Sequence, residues 1–252
     1  SPSGSNLERG VAAALMAKSE FAVLEVDELH LSRVIEEAKP KAVLLLNLTR
    51  DQLHRMHEVK RVADRWAKSA SASPETLFVG DIDDPFVALA LNSAAQSEKI
   101  SFGGRKHQDG AVCPSCGKYL KWVRNNYKCS CGLSNSNPDQ SFESGSAAYR
   151  NATMANVVAK FFGAKEVAID EKSLERSVDQ VHKGVKANIR LTKNPASWSE
   201  ALQSVTGQNA LLIVNAREVD GIDTSWLWDI SFNALSGKRV VVCGERALDI
   251  AY

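Results

Sequence analysis

Short apolar runs alternate with longer amphipathic stretches along most of this chain. FAVLEV (21–26), KAVLLLNL (41–48), ETLFVGD (75–81) and KISFGG (99–104) are β-branched or apolar over strand length. Between them, HLSRVIEEA (30–38), VKRVADRWAKSA (59–70) and PFVALALNSAAQ (85–96) repeat apolar residues at helical spacing. That alternation predicts an α/β fold: a parallel sheet with crossover helices. The polar segments GGRKHQDGAV (103–112) and LSNSNPDQSFESGSAAYRN (133–151) interrupt it, rich in Gly, Ser, Asn and Pro, and mark an excursion between them. Helical patterns resume at ATMANVVAKFFGA (152–164) and SLERSVDQVHKG (173–184). A boundary is expected near Lys186, giving a first domain of 1–185 and a smaller α/β domain of 186–252. The second series reads SWSEALQSVT as helix, ALLIVNA as strand, TSWLWDISFNAL as helix and KRVVVCG as strand.

Composition changes this picture little, and charge narrows it. With 252 residues, 44% of them hydrophobic, the chain has enough apolar material for one large core or two smaller ones. A formal charge of +1 sets up no overall field toward nucleic acid or an anionic surface, so partner choice must come from local sites. No apolar run reaches the roughly 20 residues of a membrane helix, and the first residues lack a signal-peptide pattern, so the cytoplasm is the expected location.

The cysteines carry the first specific chemistry. Cys113, Cys116, Cys129 and Cys131 lie within twenty residues, and Cys243 is the only other. In a reducing compartment, paired cysteines close in sequence point to a metal rather than to disulfides. Each pair is followed by a glycine, Gly117 or Gly132, that permits a tight turn. Four thiolates suit tetrahedral zinc in a closed, structural site, predicting a zinc ribbon over about 108–140. Its second pair is Cys-x-Cys, one residue shorter than the usual Cys-x-x-Cys.

Further residues carry a resemblance. LEVDELHLSRVIEEAKPKAVLLLNLTRDQLHRMHEV (24–59) resembles the central domain of Mur-type peptide ligases, and GDIDDP (80–85) is similar to their Asn-Ala-Asp-Asp-Pro segment. A four-cysteine ribbon after that segment resembles the MurT branch of the family. LTKNPASWSEAL (191–202) and DGIDTSWLWDISF (220–232) are similar to the MurT C-terminal domain. The resemblance covers nearly the whole chain and implies a Mur ligase-like central sheet with an inserted ribbon. It also implies ATP-dependent amidation of the D-glutamate α-carboxylate of lipid II, through an acyl phosphate, with ammonia from a GatD glutaminase partner.

What the family implies for single residues stands beside simpler readings. Glu25 closes the FAVLEV run, where α/β sheets place ligand groups; the resemblance makes it a magnesium ligand, and a solvated or capping acid is the alternative. Asp81, Asp83 and Asp84 match a nucleotide-contacting segment, and would otherwise form an Asp-Pro turn. His54 stands where the family pattern has an acid; His54 and His57 form a metal-competent pair or a solvated one. In the C-terminal loop, Asp223 would complete the Cys-His pair of the glutaminase, with Asp220 and Asp229 as rivals, or else cap the following helix. Trp226 and Trp228 suit either a core or an interface. The family's Gly-rich Lys-Thr phosphate loop does not occur in the chain, which reads as part of a longer protein and is not expected to hydrolyse ATP unaided. A non-catalytic zinc-ribbon binding module is the alternative. Lys118, Lys121, Trp122, Arg124, Tyr127 and Lys128 interleave basic and aromatic residues as a nucleic-acid surface would, although neutral net charge argues against nucleic acid.

Overall fold

A computed structural model of the chain describes residues 6–16, 19–49, 59–170, 174, 177–192, 194–215 and 224–251. The described residues up to Leu48 and from Val59 to Ile169 pack as one compact unit, and those from Asp170 onward as a second.

The first unit holds a parallel sheet in the order β1 (Ala42–Leu45), β2 (Leu77–Asp81), β3 (Gln96–Ser101) and β6 (Gln140–Ser141). Its register places Ala42 beside Leu77, Leu77 beside Gln96 and Ile100 beside Gln140. Phe78 and Val79 of β2 point to opposite faces and both are buried, as expected of a parallel strand covered on both sides. Helices α2 (Leu31–Ala38), α3 (Val59–Ala72), α4 (Pro85–Ser93) and α5 (Ala147–Phe161) follow α1 (Glu8–Leu15) in the chain. On α3, Val59, Val62, Ala63, Trp66 and Ala70 form one buried stripe at helical spacing. On α4 the apolar residues run all round, and it is correspondingly the most enclosed helix, with six buried residues. Gly80 explains how closely α4 approaches β2: a Cβ there would lie 2.6 Å from Val87 Cγ1 and 3.2 Å from the Leu45 carbonyl oxygen. Between β3 and β6 the chain leaves the sheet and makes the antiparallel pair β4 (Lys121–Val123) and β5 (Asn126–Lys128), the expected excursion.

The second unit contains the antiparallel hairpin β7 (Ser177–His182) and β8 (Val185–Arg190), and the parallel pair β9 (Asn209–Ile213) and β10 (Arg239–Cys243). Among its described residues it also holds the helices α6 (Pro195–Gln203) and α7 (Ala247–Ala251). Asn194 and Ser197 form a reciprocal capping box that starts α6, with Pro195 at its first position. Trp198 and Leu202 of α6 pack with Leu212, Val214, Leu227, Ile230 and Leu235 in a small core.

Three expected elements differ. FAVLEV forms no strand: residues 21–27 are irregular, and Val23 is 96% exposed. Strand propensity is expressed only where a neighbour supplies the ladder and a surface to cover, and this segment has neither among the described residues. SVDQVH, expected to be helical, instead pairs with VKANIR in the β7–β8 hairpin, closed by Lys183 and Gly184 at φ 48° and 80°, the two left-handed positions of a two-residue turn. That hairpin spans Lys186, so the break in packing falls ahead of the expected boundary. TSWLWDISFNAL forms two short 3-10 helices, Ser225–Asp229 and Phe232–Leu235, because Ile230 turns extended and carries its side chain into the core.

Candidate functional site

The four ribbon cysteines converge. Cys113 accepts the Gly117 N–H at 2.9 Å and donates its own N–H to the Lys118 carbonyl at 2.7 Å, a tight knuckle that Gly117 makes possible at φ 75°. The second pair turns in the same manner despite its missing residue. Cys129 accepts the Gly132 N–H at 3.1 Å, Gly132 sits at φ 101°, and the Cys129 N–H donates to Leu133 at 2.8 Å. All four Sγ atoms lie within 4.8 Å of one another, with Cys113 and Cys131 at 3.7 Å and Cys116 and Cys129 at 3.4 Å. Zinc–sulfur bonds of about 2.3 Å require tetrahedral edges of about 3.8 Å. The set therefore fits zinc, with no fifth donor in the group and no open position. Burial pushes the Cys113 thiol up to about 12, while the backbone N–H of Cys131 draws the Cys129 thiol down to about 6. Metal binding would have to take the remaining protons.

The inner face of β4–β5 fastens this ribbon to the sheet. Trp122 and Tyr127 are cross-strand partners with ring centroids 5.2 Å apart. Trp122 Nε1 donates to the Gly110 carbonyl at 2.7 Å, and the buried Tyr127 hydroxyl donates to the Ile82 carbonyl at 2.9 Å. Asn135 accepts the Tyr127 N–H with its oxygen and donates Nδ2 to Asp83 Oδ1 at 2.9 Å. The two aromatic rings proposed for base stacking thus face inward and serve the fold, which weakens the nucleic-acid reading.

The acids of GDIDDP sit at the carboxyl end of β2, and all three are buried. Asp84 caps α4, accepting from the Phe86 and Val87 N–H groups through Oδ1 and from Leu48 N–H through Oδ2. His107 Nε2 lies 3.3 Å from the same Oδ2, close enough for an ion pair but too poorly aligned for a hydrogen bond. Burial works against the Asp84 charge, but His107 and the backbone donors outweigh it and hold its carboxyl below the usual range. The His107 Nδ1 accepts the Asp109 N–H at 3.1 Å, so the geometry places the ring proton on Nε2, facing Asp84. Asp83 accepts from Ser101 Oγ, Phe102 N–H, Gly104 N–H and Asn135 Nδ2. Asp81 Oδ1 accepts the Asp83 N–H at 2.9 Å; burial first, and then the Asp83 charge, raise its carboxyl to about 7. Asp83 and Asp84 therefore spend their oxygens on the chain's own donors, and Asp81 is the acid with the least internal use.

The remaining expectations are scattered. Glu25 is exposed on the irregular segment and joins no group of three potential ligands among the described residues. Asp229 ends an exposed turn of 3-10 helix, while Asp220 and Asp223 lie outside the described residues, as do His54 and His57. Trp226 packs against the second core and Trp228 is 72% exposed, so the two tryptophans divide between the core and surface readings. Sequence reasoning missed His107 and Asn135. Nothing local in GGRKHQD or LSNSN marks either, because their partners lie 23 and 52 residues away.

Comparison with known proteins finds similarity along nearly the whole chain. The profile of the MurT ligase C-terminal family matches residues 191–252. The chain is 25% identical, over 98% of its length, to the lipid II isoglutaminyl synthase (glutamine-hydrolyzing) subunit MurT of Staphylococcus aureus strains COL and N315, covering 68% of each. Against the MurT subunit of Streptococcus pneumoniae strain R6 it is 25% identical over 95% of its length, covering 65% of that protein. The chain thus spans about two thirds of the length of these relatives. The similarity to these MurT subunits runs through both units, and the profile of the MurT C-terminal family falls on the second.

Proposed function

We propose that the protein is the synthetase subunit of a glutamine-dependent amidation that converts the D-glutamate α-carboxylate of lipid II to D-isoglutamine, with a GatD-type glutaminase supplying ammonia. The observation that carries this reading is similarity across both units to subunits named for that synthase. A carboxylate resists nucleophiles until an oxygen is converted to a leaving group. In this mechanism a carboxylate oxygen attacks the γ-phosphorus of ATP, ADP leaves, and ammonia displaces phosphate from the acyl phosphate. Bound magnesium would offset the crowded phosphate charge. Glu25 is the residue assigned to it, an assignment resting on the resemblance alone, since the described residues place no second ligand beside it.

This reading gives the β2 terminus a divided role. Asp83 and Asp84 shape the strand end, one by tying it to the ribbon and the other by capping α4. Asp81 is left to face the nucleotide. Zinc in the ribbon would be structural, keeping Tyr127 and Asn135 against Ile82 and Asp83. In the second unit, Asp223 would orient the glutaminase histidine and favour its charged form, with Asp220 and Asp229 as rivals.

The test is reconstitution of the full-length protein with the glutaminase, ATP, glutamine and lipid II, followed by mass spectrometry of the stem peptide. The expected product has exchanged one hydroxyl for an amino group, and it requires both subunits and both co-substrates. Failure to amidate by a zinc-loaded protein that binds its glutaminase would sink the proposal.

A further inference from the structure

The outer face of the ribbon concentrates positive charge that its own fold does not neutralise. Residues 110–138 contain Lys118, Lys121, Arg124 and Lys128 and no Asp or Glu. All four are exposed, and none makes an ion pair with another described residue. Lys121 and Lys128 stand directly opposite each other across β4–β5, a like-charge arrangement that costs stability. Because side chains alternate along a strand, Trp122 and Tyr127 point inward while Lys121, Val123 and Lys128 share the outer face. Val123 is 72% exposed there, and Tyr119, just before β4, is 81% exposed. The loop after β3 extends the charge. A Cβ on Gly104 would come within 2.6 Å of Asn126 Oδ1, so that loop touches the β4–β5 turn, and the exposed Arg105 and Lys106 follow at once. Four thiolates around zinc would carry a net charge of about −2. Six basic side chains, set against that charge and Asp109, the one acid between Gly103 and Pro138, still leave this region positive.

We propose that this face is a docking surface for an anionic lipid membrane. The argument is complementarity of charge and polarity: basic side chains meet acidic headgroups, and tyrosine and small apolar tips sit at headgroup depth. The whole chain carries only +1, so the attraction is local and orients the protein ribbon-first. Nucleic acid fits the same face less well. Strand binding needs rings on which bases stack, and two of the three ribbon aromatics are turned into the domain, leaving Tyr119 outside. The inference adds to the proposed amidation, whose lipid-linked substrate gives the surface a purpose, but its test contains no lipid II and stands apart from that reading.

The test is co-sedimentation of the zinc-loaded full chain with phosphatidylglycerol-rich vesicles, and with phosphatidylcholine vesicles, at low and physiological salt. Binding is expected to the acidic vesicles only and to weaken as salt rises. Each basic side chain near an acidic surface contributes about a factor of five, so Lys121→Gln with Lys128→Gln should weaken binding roughly 25-fold. The substitution also removes the cross-strand repulsion, so the fold should be retained. Tyr119→Ser with Val123→Ser should weaken binding while preserving its salt dependence. A single-stranded oligonucleotide serves as competitor. No sedimentation with acidic vesicles, equal binding to both lipids, unchanged binding of the double lysine variant, or oligonucleotide binding tighter than vesicle binding would each overturn the proposal.

Discussion

Replacing Asp83 with alanine tests whether the ribbon and the β2 terminus are one cooperative structure. The substitution removes the shared acceptor of the Phe102 and Gly104 N–H groups, of Asn135 Nδ2 and of the Ser101 hydroxyl. The hydroxyl can rotate to another acceptor. The three N–H donors stay buried, and an unpaired buried donor costs about 1–3 kcal/mol. Partial entry of water and the relief of repulsion among three buried carboxylates offset part of that, leaving a loss of about 3–5 kcal/mol. Asp83→Asn keeps the shape. Its oxygen can still accept both backbone N–H groups, and only its amide faces the Asn135 donor, so the loss should be about 1–2 kcal/mol. Hydrogen exchange by mass spectrometry on the zinc-loaded chain reads both effects locally. Peptides over 99–106 and 119–129 should lose protection together in the alanine variant, and by less in the asparagine variant. Exposure of 99–106 with the ribbon peptide unchanged would refute the coupling, and equal effects of the two substitutions would refute the donor count.

Three further outcomes follow from the same geometry. The purified chain should hold about one zinc, and Cys113→Ser should lower both metal content and the melting temperature of the first unit, measured by elemental analysis and calorimetry; a metal-free chain that melts like the wild type contradicts the site. Asp81 is raised to about 7 in the fold against about 4 unfolded, so its contribution to stability is present below the unfolded value and is lost as pH rises through 7, by about 1.4 kcal/mol per pH unit. Denaturant titrations of Asp81→Asn should therefore lack that part of the pH 4–7 slope, and an unchanged slope would show that Asp81 ionises normally. Asp223→Asn should cut glutamine hydrolysis by the reconstituted complex by a factor on the order of a thousand or more while the complex still forms; a capping role predicts a nearly silent change, since Asn caps as well as Asp.

Much of the first unit was legible because its signals are local. The helices α3 and α4 and the paired cysteines can each be read within twenty residues and form where expected, although α4, read as amphipathic, is apolar all round. Asp84 was legible only as part of an Asp-Pro turn, and the structure makes it the cap of α4. FAVLEV and the β7–β8 segment were not, because pairing decides between strand and irregular chain, and between hairpin and helix, and a partner cannot be read from a run of four to six residues. The division of labour among Asp81, Asp83 and Asp84 was hidden more deeply. It depends on Asn135 and His107 arriving from distant segments, and it turns a candidate ligand cluster into a cap, a tie and one acid in reserve.

The central claim is that the substrate carboxylate is activated by phosphorylation, and an isotope decides it most directly. Lipid II labelled with ¹⁸O in the D-glutamate α-carboxylate should be turned over by the reconstituted full-length complex with ATP and glutamine, and the released inorganic phosphate analysed by mass spectrometry. The expected result is one labelled oxygen transferred to phosphate for each amide formed, because the oxygen that attacks phosphorus departs with it. Amide formation with unlabelled phosphate, or with the label in AMP, would contradict the account.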